Sequence, residues 1–299
     1  MVAGHNVIQH TDDTDRVIVD RAVTLAEEND VCVYADDTDV LILLIYKLKT
    51  TTHHSVYLRQ EKQSRTINLI SLINAMPVSK KDNILLSHAM TGCDTTSGFF
   101  RIGKTKLTKS KILENNPAYN SVFLEDGSDI DVVIDAGENI ILQLYGKHKC
   151  KSLDELRGVL YKKKLHSKSI RKRIDPRSLP PSSSAAKYHT LRVYHTIQEW
   201  LGRCLDPREY GFCDLEGRLE PITYTGPLAP EYLLKKILCN CQKTECKSGN
   251  CSCRNFRLYC NELCGCPDSY TNVDPGNEED NSDSEQHDNS NDIDNSPNL

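Results

Sequence analysis

Eight cysteines crowd residues 239–266, in the spacing Cys239-x-Cys241-x4-Cys246-x4-Cys251-x-Cys253-x6-Cys260-x3-Cys264-x-Cys266. Thiolates hold zinc at ~2.3 Å in a tetrahedron, and ligands this close in sequence can converge on one ion. Few large apolar residues lie between them, chiefly Phe256, Leu258 and Leu263. A segment that cannot bury an apolar core takes its folding free energy from metal. Disulfides are the competing reading. No basic stretch followed by an apolar one is visible from Met1 to Asn6, so a reducing compartment is expected, where disulfides are rare. The longest apolar run, Val40 to Tyr46, is far short of the ~20 residues of a membrane span, so no membrane partner is expected.

A second set of reactive side chains is acidic and comes from three places. Asp12, Asp13 and Asp15 stand at an expected helix start, Asp36, Asp37 and Asp39 follow an expected strand, and Asp94 lies in Thr91-Gly-Cys-Asp-Thr-Thr96. Carboxylates converging from strand ends and helix starts suit Mg2+ or Mn2+, which prefer oxygen ligands. Two such ions clamp the attacking and leaving oxygens of a phosphodiester. Taken alone, a D-D-T-D string is more often a helix cap or a solvated turn.

The elements that must position these groups follow from periodicity. Residues 11–30 read as a helix, with Val17, Ile18, Ala22, Leu25 and Ala26 on one face. Residues 31–35 read as a buried strand with Cys32 in the core, and Val40–Tyr46 opens a buried helix. Residues 55–59 and 65–69 flank a polar turn as a hairpin; 80–91 and 105–113 read as helices. Past 115 the signal weakens. A basic helix is expected over 153–165, a linker over 179–184, an amphipathic helix over 185–201 with Trp200, and irregular structure over 207–230. Residues 276–299 hold eight acidic residues and only Ile293 and Leu299 as large apolar ones, which predicts disorder.

The net charge of -5 hides a segregation: residues 147–177 carry twelve Lys/Arg against three Asp/Glu, and none follows Arg257. A polyanion-facing segment and an acidic tail are expected. The Lys162–Lys164 and Arg171–Arg173 clusters suit nuclear import or polyanion contact. His53, His54, His148 and His166 lack ligand spacing and read as solvated.

The cysteine spacing resembles one half of a tesmin/TSO1-like CXC domain. The resemblance implies a cluster of three zinc ions on nine cysteines, some bridging two ions, in a module that binds DNA. Two positions depart from that pattern. Ser269 stands where the ninth cysteine belongs, so Asp268 or water completes the cluster, or one zinc is lost; eight thiols also suffice for two separate four-thiolate sites. Asn250 replaces the tyrosine that DNA-reading members place before the fourth cysteine. Phosphate contacts from Lys243, Lys247, Arg254 and Arg257, rather than base reading, are therefore expected.

The acidic set resembles the flap-endonuclease/XPG branch of PIN-like nucleases. There an acidic pair opens a helix, a strand leads into an E-D-x-D element, and a G-x-D element follows. Asp13 and Asp15, Asp37 and Asp39, and Asp94 match those positions. In that branch the last aspartate leads into a helix–two-turn–helix whose Ile-Gly turn meets the DNA backbone; Ile102, Gly103, Lys104 and Lys106 lie at that offset. Residues 96–113 hold five basic and no acidic side chains. The family takes two more carboxylates from segments that this chain begins after, so the resemblance implies a truncated, inactive domain. The combination also resembles a group of animal proteins derived from mobile elements.

The expected architecture is an α/β N-terminal part, partly PIN-like and mostly helical (7–113), a basic helical connector (114–235), a zinc-stabilised irregular CXC module (236–273) and a disordered acidic tail (274–299). The expected function is nucleic-acid binding, to DNA and in the nucleus. The rivals are a Mg2+- or Mn2+-dependent structure-specific endonuclease and a protein-interaction module whose zinc is structural.

Overall fold

The computed structural model describes residues 9, 13–49, 54–146, 149–166 and 176–224, then 239, 241, 246–247, 251–255, 259–260, 264, 266 and 272. The chain divides into two compact units, Met1–Glu231 and Tyr232–Leu299.

The first unit opens with α1 (Thr14–Leu25), β1 (Val31–Tyr34) and α2 (Thr38–Leu48). Both helices start on an aspartate cap. Asp13 Oδ1 accepts the Asp15 N–H at 3.0 Å, and Asp37 Oδ1 accepts the Asp39 N–H at 2.9 Å. Each cap satisfies a donor that the first helical turn leaves open. β2 (Val56–Gln60) and β3 (Arg65–Asn68) form the expected hairpin, and β1 lies parallel to β2, Val31 opposite Val56. Among the described residues β1 is an edge strand. Val33 faces the core, whereas Cys32 is exposed and Tyr34 is 71% exposed. The expectation of a buried strand with Cys32 in the core is therefore wrong: only one face of β1 is covered, and the alternation of a strand puts Cys32 on the other.

Short helices follow: α3 (Leu69–Ala75), α4 (Val78–Asp82), α5 (Ile84–Thr91), α6 (Lys104–Lys109), α7 (Ile112–Asn115) and α8 (Pro117–Leu124). The helix expected over 80–91 breaks at Asn83, and the one expected over 105–113 breaks at Ser110–Lys111. Then come α9 (Ile130–Leu144), α10 (Leu153–His166), α11 (Ser183–Trp200) and a hairpin of β4 (Phe212–Leu215) and β5 (Arg218–Pro221). The unit is helix-rich with two small sheets. No described helix is long and apolar enough to cross a membrane.

One apolar cluster runs from Val19 through Leu43, Leu58, Leu86 and Ile140 to Trp200. The expected boundary at 113 has no counterpart in this packing. α9 offers Val133, Ala136, Ile140, Ile141 and Leu144 on one face, and α11 packs on α5, α8 and α9. α8, α9, α10 and α11 thus complete the core of this unit. α11 is buried over most of its length despite a polar sequence. Three of its polar side chains find carbonyls: Gln198 Nε2 donates to Phe123 O at 2.8 Å, Tyr194 OH to Glu125 O at 3.0 Å, and Arg192 Nη1 to Gly211 O at 3.0 Å. Satisfied in this way, buried polar groups need not face water.

The α9–α11 crossing depends on Gly137. A Cβ there would lie 2.2 Å from Thr190 Oγ1 and 2.3 Å from its Cγ2, and Thr190 is fully buried. Gly137→Ala is expected to destabilise the unit by ~1–3 kcal/mol through overpacking, against the ~1 kcal/mol that alanine gains in an open helix. Urea unfolding checks this. Thr190→Ala in the same chain should recover most of the loss, whereas an unaltered midpoint for Gly137→Ala alone would refute the close crossing.

Candidate functional site

In the C-terminal unit the eight module cysteines are all free thiols, five of them buried. Sγ atoms lie 3.5 Å apart for Cys239–Cys260, 3.6 Å for Cys239–Cys266, 3.8 Å for Cys239–Cys246 and 3.4 Å for Cys253–Cys264. A disulfide needs ~2.05 Å. A tetrahedron with ~2.3 Å metal–sulfur bonds has edges of ~3.8 Å. The spacing is that of thiols around a cation.

The thiols form three sets of four whose ligand atoms lie within 4.8 Å of one another. They are Cys239, Cys241, Cys246 and Cys251; Cys239, Cys251, Cys253 and Cys260; and Cys239, Cys260, Cys264 and Cys266. Cys239 belongs to all three, and Cys251 and Cys260 to two each. The cluster can hold a metal such as zinc. Its backbone is bent to suit: Cys246 has φ of 54°, a left-handed conformation uncommon for a side chain with a Cβ. Without a cation Cys239, Cys246 and Cys253 resist ionisation. Burial and the Cys260 thiol push Cys239 up to about 12, and burial pushes Cys246 and Cys253 up as well. Burial also raises Cys251, but the Arg254 N–H and neighbouring thiols outweigh it and bring that group down to about 7.

Of the basic residues expected to meet phosphate here, Lys247 and Arg254 are exposed. Arg254 also donates from Nη1 to Cys246 O at 3.2 Å, which braces the thiol loop. Lys243, Asn250, Arg257, Asp268 and Ser269 lie outside the described residues, as does the tail over 274–299.

In the first unit the five aspartates from three segments are neighbours. Asp15 is pushed up to about 6, first by burial and then by the charges of Asp37, Asp13, Asp39 and Asp94. Asp13, Asp37 and Asp94 are exposed, Asp15 is half-buried and Asp39 is only 7% exposed. The aspartates also serve the fold, since Asp13 and Asp37 cap their helices. Their oxygens are more widely spread than the thiols: among the described residues, the sets of ligand atoms within 4.8 Å of one another are all thiols. Asp12 lies outside the described residues. Asp36 accepts the Lys62 N–H at 3.0 Å and so ties the β1–α2 loop to the β2–β3 turn.

Side chains that no sequence pattern singled out hold this cluster in place. His88 Nε2 lies 2.6 Å from Asp39 Oδ1, with both groups buried, and its ring stacks on Trp200 at 6.0 Å. The turn that carries Asp94 is clamped at three points. Gly92 has φ of 112°, and a Cβ there would lie 2.9 Å from the Gly98 backbone. Thr96 Oγ1 donates to Ala89 O at 2.6 Å and accepts the Cys93 N–H at 3.1 Å, and Thr95 meets Thr196 of α11 at 2.6 Å. Cys93 packs its sulfur on those two threonine hydroxyls.

Comparison with protein-family models, with curated proteins and with solved structures finds no match to this chain.

Beyond Asp94 the chain turns basic. Arg101, Lys104 and Lys106 are exposed, and among the described residues none of them is ion-paired. A Cβ on Gly103 would meet nothing within 4 Å, so the backbone there is open to a ligand. Ile102 is the exception among the expected contacts: its side chain is buried, and its N–H bonds to Phe99 O at 3.0 Å. It shapes the turn and does not present a surface. Phe100 carries two guanidinium groups on its ring, Arg101 at 5.2 Å and Arg177 at 4.9 Å. Arg177 comes from the basic stretch 147–177, which sequence alone could not place beside this turn.

The raised Asp15 has a consequence for pH dependence. A carboxyl held above its unfolded value stabilises the fold only while protonated. Its contribution is full below 3.8 and is lost as pH rises through about 6. In metal-free buffer Asp15→Asn should melt a few degrees above the wild type near pH 7.5, with the difference closing near pH ~4. A difference that does not vary with pH would show that Asp15 is not strained by its neighbours.

Proposed function

We propose that this chain is a zinc-containing nucleic-acid-binding protein, with a tesmin/TSO1-like CXC half carrying zinc and a flap-endonuclease-like framework whose acidic cluster takes Mg2+ or Mn2+ against a phosphodiester. The observation that carries the reading is the convergence of Asp13, Asp37, Asp39 and Asp94 on Asp15. Like charges gathered from a helix start, a strand end and a glycine turn repel one another, and a divalent cation relieves that repulsion. The exposed Arg101, Lys104, Lys106 and Arg177 follow the same turn and fit the phosphates beside such a cation. The nucleus suits this function. Asp15, Asp37, Asp39 and Asp94 would hold the cation, which would neutralise phosphate charge and polarise the phosphorus–oxygen bonds. His88 holds Asp39 in place, and the Gly92 turn presents Asp94.

Hydrolysis is the second reading, and the same convergence favours it, since paired cations on such a cluster serve phosphodiester cleavage. Both readings are tested with fluorescent duplex, hairpin and flap DNA. Binding should weaken linearly in log K against log salt, and Arg101→Ala or Lys104→Ala should lower the slope by ~1 each. Binding without salt dependence would sink the nucleic-acid reading. Cut strands that require Mg2+ or Mn2+ and vanish in Asp37→Ala and Asp94→Ala would assign a nuclease. No product from any substrate would leave binding alone.

A further inference from the structure

Six residues beyond the last module cysteine, Asn272 is 9% exposed and folds back on the sulfur cluster. Its Nδ2 lies 3.2 Å from Cys260 Sγ and 3.9 Å from Cys251 Sγ. Its backbone oxygen accepts the Cys260 N–H at 2.8 Å, so residues 260 and 272 are tied through both main chain and side chain. The two sulfurs it faces, Cys251 and Cys260, are the two that each belong to two four-thiol sets.

We propose that Asn272 is a positioning residue of the metal cluster, donating its amide N–H groups to the shared thiolates of Cys260 and Cys251; this rests on the zinc reading above. The charge balance gives the reason. Eight thiolates with three Zn2+ carry 3 × 2 − 8 = −2, and with two they carry −4. That excess would be buried, and it would concentrate on the sulfurs that more than one four-thiol set shares. An amide N–H aimed at such a sulfur offsets charge without competing for the metal, and fixes the direction of its lone pairs. A thiolate accepts and never donates, so the NH2 side of the amide must face it. The metal module therefore extends to residue 272, past the position of Ser269.

The test uses the full chain loaded with zinc, titrated with a chromophoric chelator, and then loaded with Co2+ to read the sulfur-to-cobalt charge-transfer band. Asn272→Leu keeps the volume and removes the donors. Asn272→Asp keeps the shape and sets a negative charge against the thiolates. Both should lose ~10–100-fold in affinity for the weakest-held ion and shift the cobalt band. Asn272→Gln keeps the donors and should retain most of the affinity. Tighter binding by Asn272→Asp would overturn the proposal and make residue 272 an oxygen ligand. Leu and Asp variants indistinguishable from wild type would reduce Asn272 to a packing residue. A wild-type chain that takes up no zinc would overturn the zinc reading itself, and that result is read before any variant is compared.

Discussion

Chelating the metal from the full chain is expected to unfold the cysteine module while leaving the Met1–Glu231 unit intact. The two units are held by different forces. The first has a continuous apolar cluster from Val19 to Trp200. Among the described residues of the second, the buried side chains are Cys239, Cys241, Cys246, Cys251 and Cys253, with Asn272 against them. Apparent binding free energies of structural zinc run to ~10–16 kcal/mol, and in such modules this is folding free energy. Alkylation followed by mass spectrometry reads the outcome. Before chelation Cys32, Cys204 and Cys213, which are exposed, should label. After chelation the eight module thiols should label as well, with the melting of the first unit unchanged. Cys239→Ser should act like chelation because that sulfur belongs to all three sets, whereas Cys241→Ser removes a ligand from one set only. Equal effects of the two substitutions would contradict the shared arrangement.

The second large effect is expected at His88. Replacing it with alanine leaves the Asp39 carboxyl buried, without its 2.6 Å partner, and still facing the charge of Asp15. Breaking a buried pair by removing one member costs ~3–5 kcal/mol, because the remaining group is left uncompensated. In a unit of this size that corresponds to a melting temperature lower by ~10 °C. Trp200 is the one tryptophan in the chain and stacks on His88, so its fluorescence reports both the substitution and the unfolding. Asp39→Ala should remove most of the penalty when combined with His88→Ala, since no buried charge is then left alone. Additive losses would show that the two side chains are not coupled.

What could be read from the sequence is what is local. The cysteine spacing places eight thiols within 28 residues, so their convergence needs no knowledge of the rest of the chain. Asp13 and Asp37 stand where a helix start needs an acceptor, and the hairpin of β2 and β3 follows from its alternation. The convergence of the aspartates was an expectation from their places at helix starts and a strand end and from the family resemblance together; the charges that Asp15 feels are those of Asp37, Asp13, Asp39 and Asp94. What was not legible is the set of long-range pairings: Asp39 with His88, Thr95 with Thr196, Phe100 with Arg177. Each partner is an ordinary residue in its own neighbourhood, and nothing in one sequence couples positions so far apart. α11 was misjudged for a related reason. Its histidines, threonines and glutamine suggest a wet face, but carbonyls of α5, α8 and a loop accept from His189, Gln198 and His195 inside the core, and Thr196 pairs with the Thr95 hydroxyl. Cys32 was misplaced because an apolar run cannot say whether one face of a strand or both are covered. Asn272 fell inside the expected module of 236–273 but carried no signal of its own, since an asparagine is not a zinc ligand and follows the last cysteine.

One metal cluster built on shared thiolates is expected in the C-terminal unit, and native mass spectrometry of the full chain, purified under reducing conditions, reads it. The expected mass is that of the chain plus three zinc ions, with no disulfide formed. Two ions would mean separate sites without a shared Cys239, and a metal-free chain with the module cysteines paired as disulfides would rule out the metal cluster.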